Sequence, residues 1–255
     1  MSMTTPATVP TGRIPAPAVV LSRLRRTYPN GPGVSTALDD VTFSLPQGTF
    51  TAVMGPSGSG KSTFLNCASG LDVPTSGRVV IGGTDLTMLS PDAVTRFRRR
   101  HIGFIFQAYN LIGHLTVAEN IALPLQLDGR RADTQWQQRL ISAVGLNGKE
   151  DQYPGELSGG QAQRVAIARA LIARPDVVFA DEPTGALDRH TGQKVLQVLR
   201  TTAHELGQTL VLVTHDAQVA TAADRVLLLS DGRLAGDLTA PSTDQIVARL
   251  TKLEG

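Results

Sequence analysis

The sequence predicts an α/β protein built on a mostly parallel sheet, with an N-terminal antiparallel β subdomain and an inserted α-helical subdomain. Three observations carry this reading. Apolar runs of strand length, Phe50–Met54, Val177–Ala180, Leu210–Thr214 and Val226–Leu229, alternate with helical segments, as in parallel sheets. Ahead of them, Val19–Leu21 and Val41–Leu45 read as strands joined through turn residues. Between about residues 108 and 173 the character changes: Val117–Ile121 and Trp136–Val144 have helical spacing, and β-branched runs are scarce.

Taken in order, Met1–Ala18 is rich in Pro, Thr and Ala and lacks a cationic start followed by an apolar run. It reads as a disordered leader and not as a secretory signal. The main domain is expected over 19–240, with the helical subdomain at about 108–173 inside it and a closing helix over 241–255. Tyr28–Gly33 has the chemistry of a turn, with two glycines and two prolines. Phe50–Met54 runs into a glycine-rich loop, and Ser62–Gly70 then reads as a helix ending at a glycine. Gly77–Gly83 is a further strand and turn, and Asp231-Gly232 a hairpin turn. Leu157–Gln161 precedes Ala162–Leu171, which is an amphipathic helix.

At 255 residues the chain can hold one large core, or one core with an insertion. A formal charge of +2 gives no argument for a nucleic-acid partner. The single cysteine, Cys67, excludes an intrachain disulfide and reads as a packed, inert thiol. No stretch reaches the roughly 18 to 20 apolar residues that a membrane helix needs, so a membrane role would come through a partner.

Gly55-Pro56-Ser57-Gly58-Ser59-Gly60-Lys61-Ser62-Thr63 fits the phosphate-cradling pattern G-x-x-x-x-G-K-[ST], and it lies between a strand and a helix as that pattern requires. Glycines let consecutive N–H groups turn inward at phosphate oxygens, beside the positive end of the helix. Lys61 is expected at the β- and γ-phosphates, the Ser62 hydroxyl on Mg²⁺, and the Thr63 backbone at a phosphate. Val177–Ala180 ends in Asp181-Glu182, which supplies one carboxylate for the Mg²⁺ shell (Asp181) and one to polarise attacking water (Glu182). Ser158, Gly159 and Gly160 stand at a helix N-terminus, where free N–H groups and the macrodipole favour an anion. A capped helix alone accounts for Ser158 but not for two glycines and Gln161.

Tyr28, Gly55–Thr63, Gln107, Leu157–Gln161, Asp181-Glu182, Ala186-Leu187-Asp188 and His215 occur in the order of the motifs of ATP-binding cassette (ABC) ATPases. From about Leu21 to Asp237 the chain resembles that family. The resemblance implies ATP and Mg²⁺ as cofactors and Tyr28 as the aromatic that stacks on adenine. It implies Gln107 as the glutamine that senses Mg²⁺ and water, Asp188 as an acid at a dimer interface, and His215 as the switch residue on the γ-phosphate. It also implies a homodimer in which Ser158–Gln161 of one copy caps the ATP held by the other. Read without the family, Tyr28 also fits a plain loop tyrosine, Gln107 a strand-end amide and His215 a structural histidine. His101, His114, His190 and His204 read as surface or packing residues.

Leu71–Gly77, Arg100–Ile112, His114–Leu125 and Asp181–Asp188 are similar to the branch holding the macrolide-exporter, lipoprotein-release and cell-division ATPases. That branch implies a separately encoded four-helix permease with a large extracytoplasmic domain and a role in export or in extraction of a substrate from the membrane; the alternative is regulation of an extracytoplasmic partner through a permease-like protein without transport. The implied location is cytoplasmic, on the inner face of the cell membrane and held there by the permease. Gly113 departs from the branch, which often has proline there. The basic run Arg96, Arg98, Arg99 and Arg100 reads as a solvated helix face, with contact to anionic lipid or permease acids as the alternative.

Overall fold

A computed structural model describes residues 17–254. Along the chain run β1 (Pro17–Asn30), β2 (Gly33–Pro46), β3 (Phe50–Met54), α1 (Lys61–Ala68), β4 (Ser76–Ile81), β5 (Thr84–Asp85), α2 (Pro91–His101) and β6 (Ile102–Phe106). Then follow α3 (Val117–Leu127), α4 (Thr134–Ala143), α5 (Gly159–Leu171), β7 (Val177–Asp181) and α6 (Arg189–Glu205). The chain closes with β8 (Leu210–Val213), α7 (Ala217–Ala220), β9 (Arg225–Ser230), β10 (Arg233–Thr239) and α8 (Thr243–Glu254).

Two sheets form. One is antiparallel, in the order β2-β1-β4-β5; the other has the order β10-β9-β3-β8-β7-β6. In the second sheet β9, β3, β8, β7 and β6 pair in parallel, and β10 joins β9 by the antiparallel hairpin expected at Asp231-Gly232. The strands alternate between two apolar cores. Ala52, Val178, Ala180, Leu210, Leu212 and Leu228 face the core shared with α3–α6, whereas Val53, Phe179, Val211, Val213 and Leu227 face the core shared with α1 and the antiparallel sheet. Burial on both faces explains why these strands read as unbroken apolar runs.

Three expectations need correction. The N-terminal segment read as a leader lies outside the described residues over 1–16, but Pro17 and Ala18 belong to β1, and Ala18 is buried. Tyr28–Gly33 is not one loop. Pairing of β1 with β2 continues through Tyr28↔Ser35 to Asn30↔Gly33, so the turn is confined to Gly31-Pro32 and Tyr28 stands in a strand. The basic run is not merely a solvated face: Arg98 Nη1 donates to Gly70 O (2.5 Å), Arg99 Nη1 to Leu127 O (2.9 Å), and Arg100 Nε to both carboxylate oxygens of Asp128 (3.1 and 3.0 Å). The last turn of α2 thereby ties the end of α1 to the end of α3. Cys67 is buried, and burial pushes its thiol up to about 12, the inert state expected of it.

Candidate active site

Parallel pairing fixes what stands at one edge of the sheet. Phe106 is in register with Asp181, and Asp181 with Val213. The residues that follow these strand ends, Gln107, Glu182 and Thr214-His215, therefore emerge side by side. β3 neighbours β8, so the glycine-rich loop leaves the same edge. Open α/β sheets place their ligands at such carboxyl ends.

The loop is shaped by close approach. A side chain on Gly55 would collide with the Leu229 carbonyl, and one on Gly60 with the Ala37 carbonyl; Gly60 also has φ +98°. Gly60 is the N-cap of α1 and offers no side-chain acceptor, which leaves the first-turn N–H groups free for an anion. Lys61 Nζ donates to the carbonyls of Gly55 and Pro56 (2.8 Å each), so the ammonium lies over its own loop. Burial lowers the Lys61 pKa, and the Glu182 charge opposes that shift.

Glu182 sits just past β7 with φ +43°, a strained value for a non-glycine residue, and such strain clusters at functional sites. Its Oε1 accepts from His215 Nδ1 (2.6 Å) and His215 N (2.9 Å), and its Oε2 accepts from the buried Thr214 hydroxyl (3.0 Å). An ionised carboxylate only accepts, so the proton of this contact lies on His215 Nδ1. Asp181 carries a pKa raised by burial first and by the Glu182 charge second. The Gln107 amide packs on Gly185, where a side chain would displace it. A cavity of about 770 Å³ opens beside this cluster, lined in part by Glu182, Thr184, Asp188, His215, Asp216 and Gln218.

These residues fit a nucleotide with Mg²⁺. The uncapped helix start and glycine cradle suit phosphates, and a carboxyl destabilised in its charged form, Asp181, gains from a divalent cation. Among the described residues no group of three or more His, Cys, Asp or Glu could hold a metal by itself. Mg²⁺ commonly binds through one or two protein ligands together with phosphates and water.

Ser158–Gln161 stands elsewhere. α5 packs on β6, and two strands separate β6 from β3. Ser158 caps α5 in a full capping box: Ser158 N donates to Gln161 Oε1 (2.8 Å), and Gln161 N donates to Ser158 Oγ (3.4 Å). A side chain on Gly159 would crowd the Tyr109 hydroxyl and Leu187, and one on Gly160 would overlap the Thr191 methyl. The expectation that a capped helix leaves two glycines and Gln161 unexplained is thus corrected: packing explains the glycines, and the cap explains Gln161. Asp188 caps α6 by accepting from His190 N and Thr191 N (3.1 Å each), and hydrogen bonding from Thr191 holds its carboxyl below the usual range.

Tyr28 lies apart from the acids, its hydroxyl donating to Asp72 (2.8 Å). Two participants escaped the sequence reading. Thr214 could have been found from its place at a strand end beside His215, whereas Tyr109, whose hydroxyl lies where a Gly159 side chain would stand, gave no local signal. Of the other histidines, His101 pairs with Asp176 (3.0 Å) and His204 with Asp224 (3.7 Å).

Residues 38–185 match the family described as "ABC transporter". The macrolide export ATP-binding/permease protein MacB of Burkholderia pseudomallei (strain 1710b) is 45% identical over 231 residues, which cover 89% of this chain and 35% of that protein. MacB of Salmonella choleraesuis (strain SC-B67) is 44% identical over 216 residues, covering 84% and 33%. The chain thus spans about a third of the length of these curated relatives. The dimeric structure of the ATP-binding cassette MJ0796 in a post-hydrolysis state, bound to ADP and Pi, is 41% identical with a TM-score of 0.77, covering 88% of this chain and 99% of that one. The structure of cbiO1 from Clostridium perfringens, part of the ABC transporter complex cbiONQ, is 25% identical with a TM-score of 0.78, covering 91% of each chain. The order of motifs, the two-sheet architecture and these likenesses agree: the chain belongs to the ABC transporter family, as an ATPase domain.

Proposed function

We propose that the chain binds ATP·Mg²⁺ as a homodimer, hydrolyses it, and powers a membrane permease in export or extraction of a substrate from the membrane. The carrying observation is the convergence of Gln107, Asp181, Glu182 and His215 at adjacent strand ends beside the phosphate loop. Gly55–Thr63 cradles the phosphates with Lys61 on the β- and γ-groups, and Tyr28 stacks on adenine. Ser62, Asp181 and Gln107 hold Mg²⁺, directly or through water. Glu182 polarises the attacking water, and His215 contacts the γ-phosphate. Bound Mg²⁺ neutralises charge on the phosphates.

Ser158–Gln161 lies two strands away from the phosphate loop, which supports its service to a second copy, with Asp188 at the interface. The dimeric MJ0796 structure supports the homodimer. The permease is inferred from the MacB relatives, which are ATP-binding/permease proteins. Among the described residues no helix is long and apolar enough to cross a membrane. The proposed place is the cytoplasmic face of the membrane, where the permease would hold the chain.

Mixing two inactive variants tests the composite site. Lys61→Ala and Ser158→Arg should each abolish hydrolysis alone. A mixture of the two should regain about a quarter of wild-type activity, because half the dimers are mixed and each of those has one intact site. A mixture as inactive as its components would refute the shared site.

A further inference from the structure

The segment Leu71–Gly77 marks a branch of the family in sequence, yet none of the roles above uses it. Its contacts converge on one place, the end of β1 that carries Tyr28. Asp72 Oδ2 accepts from the Tyr28 hydroxyl (2.8 Å), and Asp72 Oδ1 accepts from Arg26 Nη2 (2.8 Å). Thr75 Oγ1 accepts from Thr27 N (3.0 Å), and Thr75 N donates to Arg25 O (2.8 Å). Ser76 pairs with Arg25, and Gly77, at φ +94°, lies where any side chain would strike the backbone of Arg23 and Leu24.

These bonds form a side-chain latch on the end of β1, just past the three register shifts in its pairing with β2 (between Leu21 and Leu24, Leu24 and Arg26, and Arg26 and Thr27) and alongside the regular pairs from Thr27↔Thr36 to Asn30↔Gly33. The latch is also joined to the phosphate loop. Asp72 N and Leu71 N both donate to Asn66 O in α1, the helix whose first turn follows the glycine cradle (3.0 and 2.8 Å). Asp72 thus stands at one end of α1 and the phosphate cradle at the other. Arg26 adds a directional element: its guanidinium carbon lies 4.6 Å from the centre of the Tyr28 ring, covering one face.

We propose that Asp72 is a positioning residue for nucleotide binding. Through the Tyr28 hydroxyl and Arg26 it fixes the tyrosine ring relative to α1, so that adenine stacks on the face opposite Arg26. This rests on the reading of Tyr28 as the adenine contact. The carboxylate serves both partners at once, one oxygen each, and aspartate is the shortest side chain that can do so while its own backbone stays bonded to α1. Asparagine in its place keeps an acceptor for one partner only.

The test compares KM and Kd for ATP with the affinity for inorganic tripolyphosphate, which has no base, in the full chain. Tyr28→Ala probes the parent reading and should weaken ATP but not tripolyphosphate. Tyr28→Phe keeps the ring and loses only the tether. Tyr28→Phe and Asp72→Ala should each weaken ATP by about fivefold or more, the value of one such hydrogen bond, with tripolyphosphate affinity unmoved and the Asp72→Ala effect falling on KM rather than kcat. The double variant should be no weaker than Asp72→Ala alone, because both changes cut the same link. Tyr28→Ala with normal ATP affinity overturns the adenine reading and this proposal with it. Tyr28→Ala weakened, but Tyr28→Phe and Asp72→Ala normal, overturns the positioning role alone. So does an Asp72→Ala chain that loses tripolyphosphate along with ATP, since that would mean general damage to α1.

Discussion

Glu182→Gln separates chemistry from structure because of how the carboxylate is held. His215 N and His215 Nδ1 both donate to Oε1, and the Thr214 hydroxyl donates to Oε2. Glutamine of the same length keeps a carbonyl oxygen for the two histidine donors. Its amide nitrogen replaces Oε2, and the Thr214 hydroxyl can turn from donor to acceptor, so no buried polar atom is stranded. The structural loss is the difference between charge-assisted and neutral hydrogen bonds, about 1 kcal/mol. The chemical loss is a general base, about 10²- to 10⁴-fold in rate. Steady-state phosphate release should fall within that range, while urea unfolding shifts little and ATP still binds. The bound, uncleaved ATP should hold the dimer in gel filtration. If Glu182→Gln hydrolysed ATP at more than a tenth of the wild-type rate, another group would have to polarise the water.

Asp181 has a raised pKa in the fold, so folding carries a penalty that is present above that raised value and absent below the ordinary 3.8. Asp181→Asn should therefore melt higher than wild type at pH 7 without nucleotide, with the gap closing toward pH 4, and should lose the added stability that Mg²⁺ brings with ATP. Gly160→Ala drives a methyl into Thr191 and should cost about 1–3 kcal/mol in urea unfolding. Adding Thr191→Ser, which removes only that methyl, should restore much of it, and no recovery would place the strain elsewhere. Arg100→Gln leaves the Asp128 carboxylate, only 6% exposed, with Arg130 at 3.9 Å as its remaining cation. It should destabilise the fold by about 1 kcal/mol, kept low because Arg100 itself is well exposed; an unchanged unfolding midpoint would return the basic run to a surface role.

The strands of the parallel sheet were legible because burial on both faces leaves nothing polar in them, and Asp231-Gly232 because that dipeptide favours one turn. What stayed hidden was settled between distant segments. Tyr28-Pro29 has turn chemistry, yet pairing with Ser35 and Val34 keeps both residues in β1. The arginines of α2 form a run of charge in sequence, and only the fold supplies the carbonyls of Gly70 and Leu127 and the Asp128 carboxylate that engage them. The acids, Gln107 and His215 could be named from their order, but their adjacency follows from β6, β7 and β8 being neighbours, which spacing does not encode. Gly159 and Gly160 misled the reading for the same reason: the residues that require them, Tyr109, Leu187 and Thr191, lie 28 or more positions away or in another segment of the chain.

That packing explains Gly159 and Gly160 does not weaken the case that the start of α5 grips a phosphate, and one residue can test it. Ser158 Oγ spends a lone pair in accepting from Gln161 N, which leaves its O–H free to donate. The N–H groups of Gly159 and Gly160 have no acceptor four residues back within the helix. Capping and anion binding therefore use different atoms of one motif. Aspartate and asparagine cap a helix as well as serine does, so Ser158→Asp and Ser158→Asn should both fold with stability within about 1 kcal/mol of wild type. They differ toward a phosphate: the carboxylate repels it and cannot donate, whereas the amide can. Hydrolysis should be lost in Ser158→Asp and partly retained in Ser158→Asn, with ATP binding by the single chain intact in both. Equal hydrolysis by the two variants would mean that no phosphate approaches residue 158, and the helix end would then be a cap and nothing else.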